Sequence, residues 1–460
     1  MGWHTNEGLR VTTVHIHQFV DEGLGHSSYV IDLGDGTAAM VDPPRFPTAQ
    51  EALIADQGLQ VVWTIDTHSH ADYVTGSPGL VERVGATFVA PAASRLATSH
   101  QPVRDGDRTE LTGGVTLVAI ATPGHTPDHH AYLLEQQGQP IGLFTGGSLM
   151  VGAVGRTDLC GPDLAEPLAH DMFRSLKRFQ ELPDSLPIYP THGAGSFCSA
   201  PGAADRTSTL RRERSTNPLF GITDEDVFVE RLLSGFGTFP EYFSRLPELN
   251  RTGPRVYDTL PTLTRLTVDA ARSHIAAGGL VVDVRPFDSF GGGHIPGSLS
   301  NTLRPVFASW LGWLVPPGRQ LLFVLEADQD RAELVRQCLD VGLEHLLGEL
   351  DGGIEAWIAA GEPIATVGIV DVEHLASSVI DVRQANEFEQ GHIPSAANIE
   401  LAAVKDHAPK SGAITVMCGH GERAMTGASI LSARGQRDIT VLAGGPDTWA
   451  EFTGQPLTRS

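Results

Sequence analysis

Val61-Val62-Trp63-Thr64-Ile65 runs straight into Asp66-Thr67-His68-Ser69-His70-Ala71-Asp72-Tyr73. The first five residues read as a strand, since β-branched and aromatic side chains dominate a short apolar run. The next eight form a polar loop holding two histidines. The pattern recurs twice. Val115-Thr116-Leu117-Val118-Ala119-Ile120 leads into Thr122-Pro123-Gly124-His125, and Leu186-Pro187-Ile188-Tyr189 leads into Pro190-Thr191-His192-Gly193. Polar groups gathered at strand ends are how an α/β scaffold builds a site, because strands are rigid and loops carry chemistry.

Clustered histidines point to a metal. Neutral imidazole nitrogens are good ligands for Zn²⁺ or Fe²⁺. The competing explanation is that His68, His70, His125 and His192 are unrelated surface or core histidines. His15 and His17 serve as a contrast: strand alternation in Val14-His15-Ile16-His17 puts both on one face, and they are read as satisfied structural histidines. Of the neighbours His129 and His130, one is expected to face inward without a role.

Farther along the chain repeats itself. Val282-Asp283-Val284-Arg285 followed by Gly293-His294-Ile295-Pro296 returns as Ile380-Asp381-Val382-Arg383 followed by Gly391-His392-Ile393-Pro394. Gly352-Gly353-Ile354-Glu355-Ala356-Trp357 is echoed by Gly444-Gly445-Pro446-Asp447-Thr448-Trp449. Short apolar strands such as Leu321-Leu322-Phe323-Val324 and Ala413-Ile414-Thr415-Val416 alternate with helical stretches, which indicates two small α/β domains with parallel sheets. Residues 248–264, with Pro and Gly and little periodicity, are the expected linker.

The 460 residues are too many for one ordinary core, so several domains are expected. Hydrophobic residues at 41% and charged residues at 19% fit a globular chain. The 32 Lys and Arg against 55 Asp and Glu leave a net charge of −23, which repels phosphate backbones and anionic membranes. No nucleic-acid or membrane partner is therefore expected. The start, Met1-Gly2-Trp3-His4-Thr5-Asn6-Glu7, lacks the basic patch and apolar stretch of a signal peptide. Cys160, Cys198, Cys338 and Cys418 stand singly, so no disulfide framework and a cytoplasmic setting are expected. Nothing in the composition fixes an oligomeric state.

Thr67-His68-Ser69-His70-Ala71-Asp72-Tyr73 resembles the THxHxDH signature of the metallo-β-lactamase superfamily. Pro123-Gly124-His125-Thr126 and Pro190-Thr191-His192-Gly193 match its later motifs in order. Phe144-Thr145-Gly146-Gly147-Ser148, with Gly155-Arg156-Thr157-Asp158, resembles the persulfide dioxygenase branch. The resemblance implies an αββα sandwich over residues 1–250. It also implies a metal held by His68, His70 and His125, with Asp72 and His192 beside it. The persulfide dioxygenases hold Fe(II) with two histidines and an aspartate. The aspartate position is Gly147 here, and the last signature histidine is Tyr73. Ser148 or a water is expected to take the vacant place, Tyr73 to donate a hydrogen bond into the site, and Arg156 to bind a substrate carboxylate. Gly147→Asp is expected to strengthen iron binding.

The repeats resemble rhodanese domains over residues 265–365 and 366–460. Cys418-Gly419-His420-Gly421-Glu422-Arg423 matches the six-residue CxxGxR active loop of that family. Such a loop binds an anionic sulfur donor on inward-pointing N–H groups, and its cysteine carries the sulfur as a persulfide. Arg423 adds positive charge. The competing explanation is an inert buried cysteine. In the first repeat Arg331 stands as far before Trp357 as Arg423 before Trp449, so Glu326 falls where the cysteine belongs. Glu326, Asp328 and Asp330 would repel anions, and Cys338 reads as core. The first repeat is thus expected to be inactive.

The resemblances together imply oxidation of a low-molecular-weight persulfide to sulfite at Fe(II), coupled to sulfur transfer at Cys418 with a thiol persulfide or thiosulfate. Two alternatives are a Zn(II)-dependent thioester hydrolase of the glyoxalase II type, and a degenerate metal domain serving as scaffold for the sulfurtransferase.

Overall fold

The computed structural model describes residues 13–198, 205–407, 409 and 412–459, so the Met1 to Glu7 stretch lies outside the described residues. The chain divides into two compact units. One comprises Met1–Phe236 and Phe243–Asp258, the other Gly237–Tyr242 and Thr259–Ser460.

The first unit is a four-layer sandwich. One sheet runs in the order His15–Asp21, His26–Asp32, Thr37–Val41, Gln60–Ile65, Thr87–Pro91, Gln101–Val103. The other runs Ser208–Thr209, Pro187–Pro190, Gln139–Gly146, His130–Gln136, Val115–Ala121, Arg108–Thr112. Tyr29, Ile31, Val41 and Ile65 of the first sheet pack against Leu117, Tyr132, Leu134 and Phe144 of the second. Alternate residues of one strand enter different cores: Tyr132 and Leu134 face the first sheet, while Ala131 and Leu133 face outward. There the helix Pro162–Phe179 covers them with Met172, Phe173 and Leu176. On the far side Ile54 and Leu80, from the helices Thr48–Asp56 and Ser77–Val84, cover Val30, Met40 and Val61. Strands buried on both faces read as continuous apolar runs, which is how three of them appear in the sequence.

In the second unit two five-stranded parallel sheets repeat one topology. The first follows the order Arg265–Leu266, Leu346–Leu350, Leu321–Val324, Leu280–Asp283, Leu299–Ser300. The second follows Gly368–Val370, Ile439–Leu442, Ile414–Met417, Ser378–Asp381, Ala397–Asn398. The repeated sequence landmarks are structural clips. Arg285 pairs with buried Asp283 at 2.6 Å and donates to the Gly293 carbonyl at 2.8 Å. Arg383 does the same with Asp381 at 2.7 Å and the Gly391 carbonyl at 2.8 Å. His294 and His392 stack on Phe290 and Phe388, with ring centroids 3.8 and 3.7 Å apart. These histidines brace a turn.

Two expectations need correction. The expected linker opens inside the helix Leu246–Thr252, whose Asn250 is buried against the histidine loop. A Pro at the start and a Gly after the end of so short a helix hid its periodicity. His17 is not a satisfied histidine either, because its Nε2 is buried without a hydrogen-bond partner among the described residues. No helix of the described residues is long and apolar enough to cross a membrane.

Candidate functional site

The histidine loop is built around Asp42, which comes directly after the strand Thr37–Val41 with a left-handed φ of 48°. Its carboxylate accepts from the Thr67 N–H at 2.8 Å, from the Thr67 hydroxyl at 2.9 Å and from the Thr191 hydroxyl. It also pairs with His70 Nε2 at 3.1 Å. One buried carboxylate thus fastens the strand end at residue 67 to the one at residue 191. Asn250 closes the other side. Its amide donates to the carbonyls of His70 and Tyr73, both at 2.9 Å, and its oxygen accepts from the Thr75 N–H. Asn250→Ala is expected to lower stability by about 1–3 kcal/mol, since buried partners lose their bonds. Urea unfolding of the full chain checks this; an unchanged midpoint would refute it.

Within this frame the side chains converge. Ring centroids lie 4.3 Å apart for His68 and His70, 5.0 Å for His68 and His125, and 5.2 Å for His125 and His192. His68 Nδ1 is engaged by the Thr67 hydroxyl at 2.8 Å, which leaves its Nε2 to face His192 Nε2 at 3.3 Å. His125 Nδ1 is engaged by the Arg156 carbonyl at 2.8 Å, which leaves its Nε2 for the centre. This is the outer bonding that orients ligating histidines. His70 Nδ1, His192 Nδ1 and both Asp72 carboxylate oxygens are buried with no hydrogen-bond partner among the described residues. His192 Nδ1 lies 3.1 Å from Asp72 Oδ2, but too poorly aligned for a hydrogen bond. Buried polar atoms are nearly always satisfied, so a cluster of orphans marks the place of a cation.

The electrostatics agree with that donor set. Burial, with neighbouring imidazoles, holds His68 well below its usual value and His125 down to about 3, so both are neutral at pH 7. Burial alone would raise the Asp72 carboxyl, but His192, His70 and His26 together keep it below the carboxylate range. Neutral imidazole and ionised carboxylate are the metal-binding forms. His68, His70 and His192 offer ligand atoms all within 4.8 Å of one another, and so do His125, His192 and Cys198. The residues present fit a divalent metal.

Several sequence expectations change. Both His129 and His130 are buried, and His129 belongs to the cluster: its Nε2 accepts the Gly147 N–H at 2.9 Å, with its ring 4.9 Å from His68. Tyr73 is a wedge. It stacks between His26 and His70, at 3.9 and 4.4 Å, and its hydroxyl donates to the Asp42 carbonyl at 3.3 Å. Arg156 is likewise a brace, since its buried guanidinium pairs with Asp158 at 2.6 and 2.8 Å and donates to the Phe197 carbonyl at 3.1 Å. The Ser148 hydroxyl is bound to the backbone, donating to the Thr145 carbonyl at 2.7 Å. At Gly147 a Cβ would come within 2.3 Å of His125 Cδ2, so the place of a side chain there is taken by the imidazole. Asn250 and Cys198 escaped the sequence reading. The only signal for Cys198 was its position just after Gly193-Ala194-Gly195, a stretch able to turn the chain back.

The second constellation surrounds Cys418, buried at the end of the strand Ile414–Met417 and before the helix Glu422–Ala433. Gly419 and His420 form the outer part of the loop. The Gly421 N–H donates to Cys418 Sγ at 3.1 Å, and Gly421 adopts φ 109°, a conformation that favours glycine. Arg423 is held by Glu387 through two bonds of 2.7 and 2.8 Å, and it lies 5.5 Å from the Trp310 ring. Its charge is therefore largely answered by a carboxylate from the helix Ala385–Gln390. The preceding repeat contributes neighbours the sequence reading missed. Trp310 flanks Arg423, and a Cβ at Gly421 would meet Phe287 at 2.8 Å. Burial lowers Arg304, while Glu422 and Cys418 pull it up, so this cation is within electrostatic reach of the thiol.

At the matching place in the first repeat the loop is closed on itself. Arg331 Nη1 donates to the carbonyls of Glu326, Ala327 and Gln329 at 2.7, 3.0 and 2.6 Å. Glu326 is fixed by Ser289, at 2.7 Å. Carbonyls converging on a guanidinium are the reverse of an anion nest. Glu326→Cys in a Cys418→Ser background is therefore expected to leave sulfur transfer at background. A thiocyanate assay decides it, and recovery of full activity would show that the loop can reopen.

A model of the metallo-β-lactamase superfamily matches residues 21–192, and a rhodanese-like domain model matches residues 267–360 and 370–452. The mitochondrial persulfide dioxygenase of Bos taurus is 30% identical over 227 residues, covering 48% of this chain and 81% of that protein. The hydroxyacylglutathione hydrolase of Parasynechococcus marenigrum (strain WH8102) is 35% identical over 161 residues, 34% of this chain and 61% of that protein. A crystal structure of a metallo-β-lactamase from Staphylococcus aureus superposes with a TM-score of 0.66 at 26% identity, covering 73% of this chain and 98% of that one.

Proposed function

This chain belongs to the metallo-β-lactamase superfamily and carries two rhodanese-like domains, and from that premise we propose that it is a persulfide-metabolising enzyme with two separate active sites. The observation that carries the reading is the presence, on one chain, of a buried histidine cluster with orphaned donor atoms and of a thiol loop for sulfane sulfur.

The amino-terminal site takes a low-molecular-weight thiol persulfide, and Fe(II) is the proposed metal. When bound, the iron supplies the activation of dioxygen, for the overall conversion of RSSH, O₂ and H₂O into RSH and sulfurous acid. His68, His70, His125 and His192 hold the metal, with Asp72 beside them. Asp42 orients His70, and Arg156 orients His125 through its carbonyl. Burial of the whole cluster excludes bulk water.

At the second site the Cys418 thiolate attacks the outer sulfur of a persulfide or thiosulfate. The donor's sulfur–sulfur bond breaks, and its thiolate or sulfite leaves with the electron pair. Cys418 persulfide then gives its outer sulfur to a thiolate, sulfite or cyanide acceptor and returns to thiolate. The Gly421 N–H stabilises negative charge on Sγ, and Arg304 supplies the cation that Arg423, paired to Glu387, does not.

A zinc-dependent thioester hydrolase is the second reading, supported by the likeness to hydroxyacylglutathione hydrolase and by Asp72 with His192. Anaerobically purified protein is to be assayed for metal and for O₂ uptake. One iron per chain with one O₂ consumed per persulfide is the expected result. One or two zincs with thioester hydrolysis would move the assignment to the second reading. A metal-free, oxygen-inert chain would overturn both and leave Cys418 as the only centre.

A further inference from the structure

The proposed donor set has lost its family carboxylate at Gly147. The space is not waiting for one, because the His125 ring fills it. Four imidazoles would leave the charge of a dication to Asp72, since the Asp42 carboxylate is already taken by Thr67, Thr191 and His70. One more side chain in the cluster can become an anionic donor by giving up a proton to a bound metal. Cys198 Sγ and one nitrogen each of His125 and His192 all lie within 4.8 Å of one another, and all three residues are buried.

Resting on the metal reading of the amino-terminal site, we propose that Cys198 binds that metal through its thiolate, beside His125 and His192. The His68 Nε2 to His192 Nε2 distance of 3.3 Å already equals the edge expected between two imidazole ligands. Tetrahedral Zn–N bonds of about 2.0–2.1 Å put two nitrogens about 3.3 Å apart, and a thiolate at about 2.3 Å lies slightly farther from each.

Two further observations separate this thiol from an inert core cysteine. A buried inert cysteine is packed as a small hydrophobe. Cys198 instead faces two imidazoles and the Asp72 carboxylate, and the Asp72 oxygens and His192 Nδ1 lack hydrogen-bond partners among the described residues. The backbone also places the thiol deliberately. The Arg156 N–H donates to the Cys198 carbonyl at 3.0 Å, and the Arg156 carbonyl receives His125 Nδ1 at 2.8 Å. One residue thus braces two ligands, which gives Arg156 its reason to be buried. Binding releases the thiol proton to solvent and involves no change of oxidation state. A thiolate also makes the site softer than the two-histidine, one-aspartate arrangement.

The test is an anaerobic titration of the metal-free full chain with Co(II), whose d–d bands report binding and whose near-ultraviolet charge-transfer band reports thiolate ligation. The expected result is a charge-transfer band that is lost in Cys198→Ser, while d–d bands persist, and that is kept in Cys160→Ser and Cys418→Ser. A band that survives Cys198→Ser, or cobalt binding to the unaltered chain without the band, overturns the proposal and leaves the metal reading standing. If the unaltered chain binds no cobalt, both fall. X-ray absorption of the zinc-loaded Cys418→Ser chain needs no change at Cys198. One sulfur at about 2.3 Å is expected, and a shell of nitrogen and oxygen alone refutes the ligand.

Discussion

Cys418→Ser is expected to reduce sulfur transfer from thiosulfate or a thiol persulfide to background, a loss of about a thousandfold or more, because the nucleophile itself is removed. A serine hydroxyl keeps the shape of the loop and can still accept the Gly421 N–H that now reaches Cys418 Sγ at 3.1 Å. It is not ionised at neutral pH and does not carry sulfane sulfur. The scaffold around it should be indifferent, since the strand Ile414–Met417 and the helix Glu422–Ala433 are fixed by packing. Thiocyanate formation measures the loss, and circular dichroism checks that the fold is retained. Transfer at the unaltered rate would remove Cys418 from the mechanism.

Gly147→Asp should abolish metal binding at the amino-terminal site, although the family pattern read from the sequence points to a gain. A Cβ at residue 147 would lie 2.3 Å from His125 Cδ2, and one at Gly155 would lie 2.6 Å from His125 Nδ1. The imidazole is held between two glycines and pinned by the Arg156 carbonyl, so it has nowhere to retreat. The aspartate must displace a proposed ligand before it can serve as one. Overpacking a buried site costs about 1–3 kcal/mol, so the unfolding midpoint should fall as well. Metal content of the anaerobically prepared variant and its urea titration are the measurements. A higher iron content at unchanged stability would show that His125 can move aside.

That reversal marks the boundary of what the sequence could tell. Strands buried on both faces leave apolar runs that can be read directly, and the Asp-Val-Arg and Gly-His-Ile-Pro landmarks repeat because each copy needs its Arg383-like clip. His68, His70, His125 and His192 were legible because each sits where a strand ends. Residues that reach the site from outside those loops were not. Asn250 arrives from a seven-residue helix that looks like linker, and Cys198 from a glycine-rich turn. His129 was misjudged because alternation along a strand predicts one inward residue of two, and here the strand begins only at His130. The fate of Arg156 and Tyr73 depends on partners distant in sequence, Phe197 and His26, that no local pattern specifies.

The paired clips of the second unit also divide labour in a way that bears on engineering. Asp283 with Arg285 and Asp381 with Arg383 tie each sheet to its own turn without using any residue of the Glu326–Arg331 or Cys418–Arg423 segments. The two segments have equal length. Frame and reagent are therefore separable cassettes. Ser289 stands in the first copy where Glu387 stands in the second, and each contacts its own loop. A transplant that carries the whole active segment together with a glutamate at residue 289 would install both the sulfur carrier and the carboxylate that holds its arginine. A cysteine inserted alone would remain plugged by Arg331.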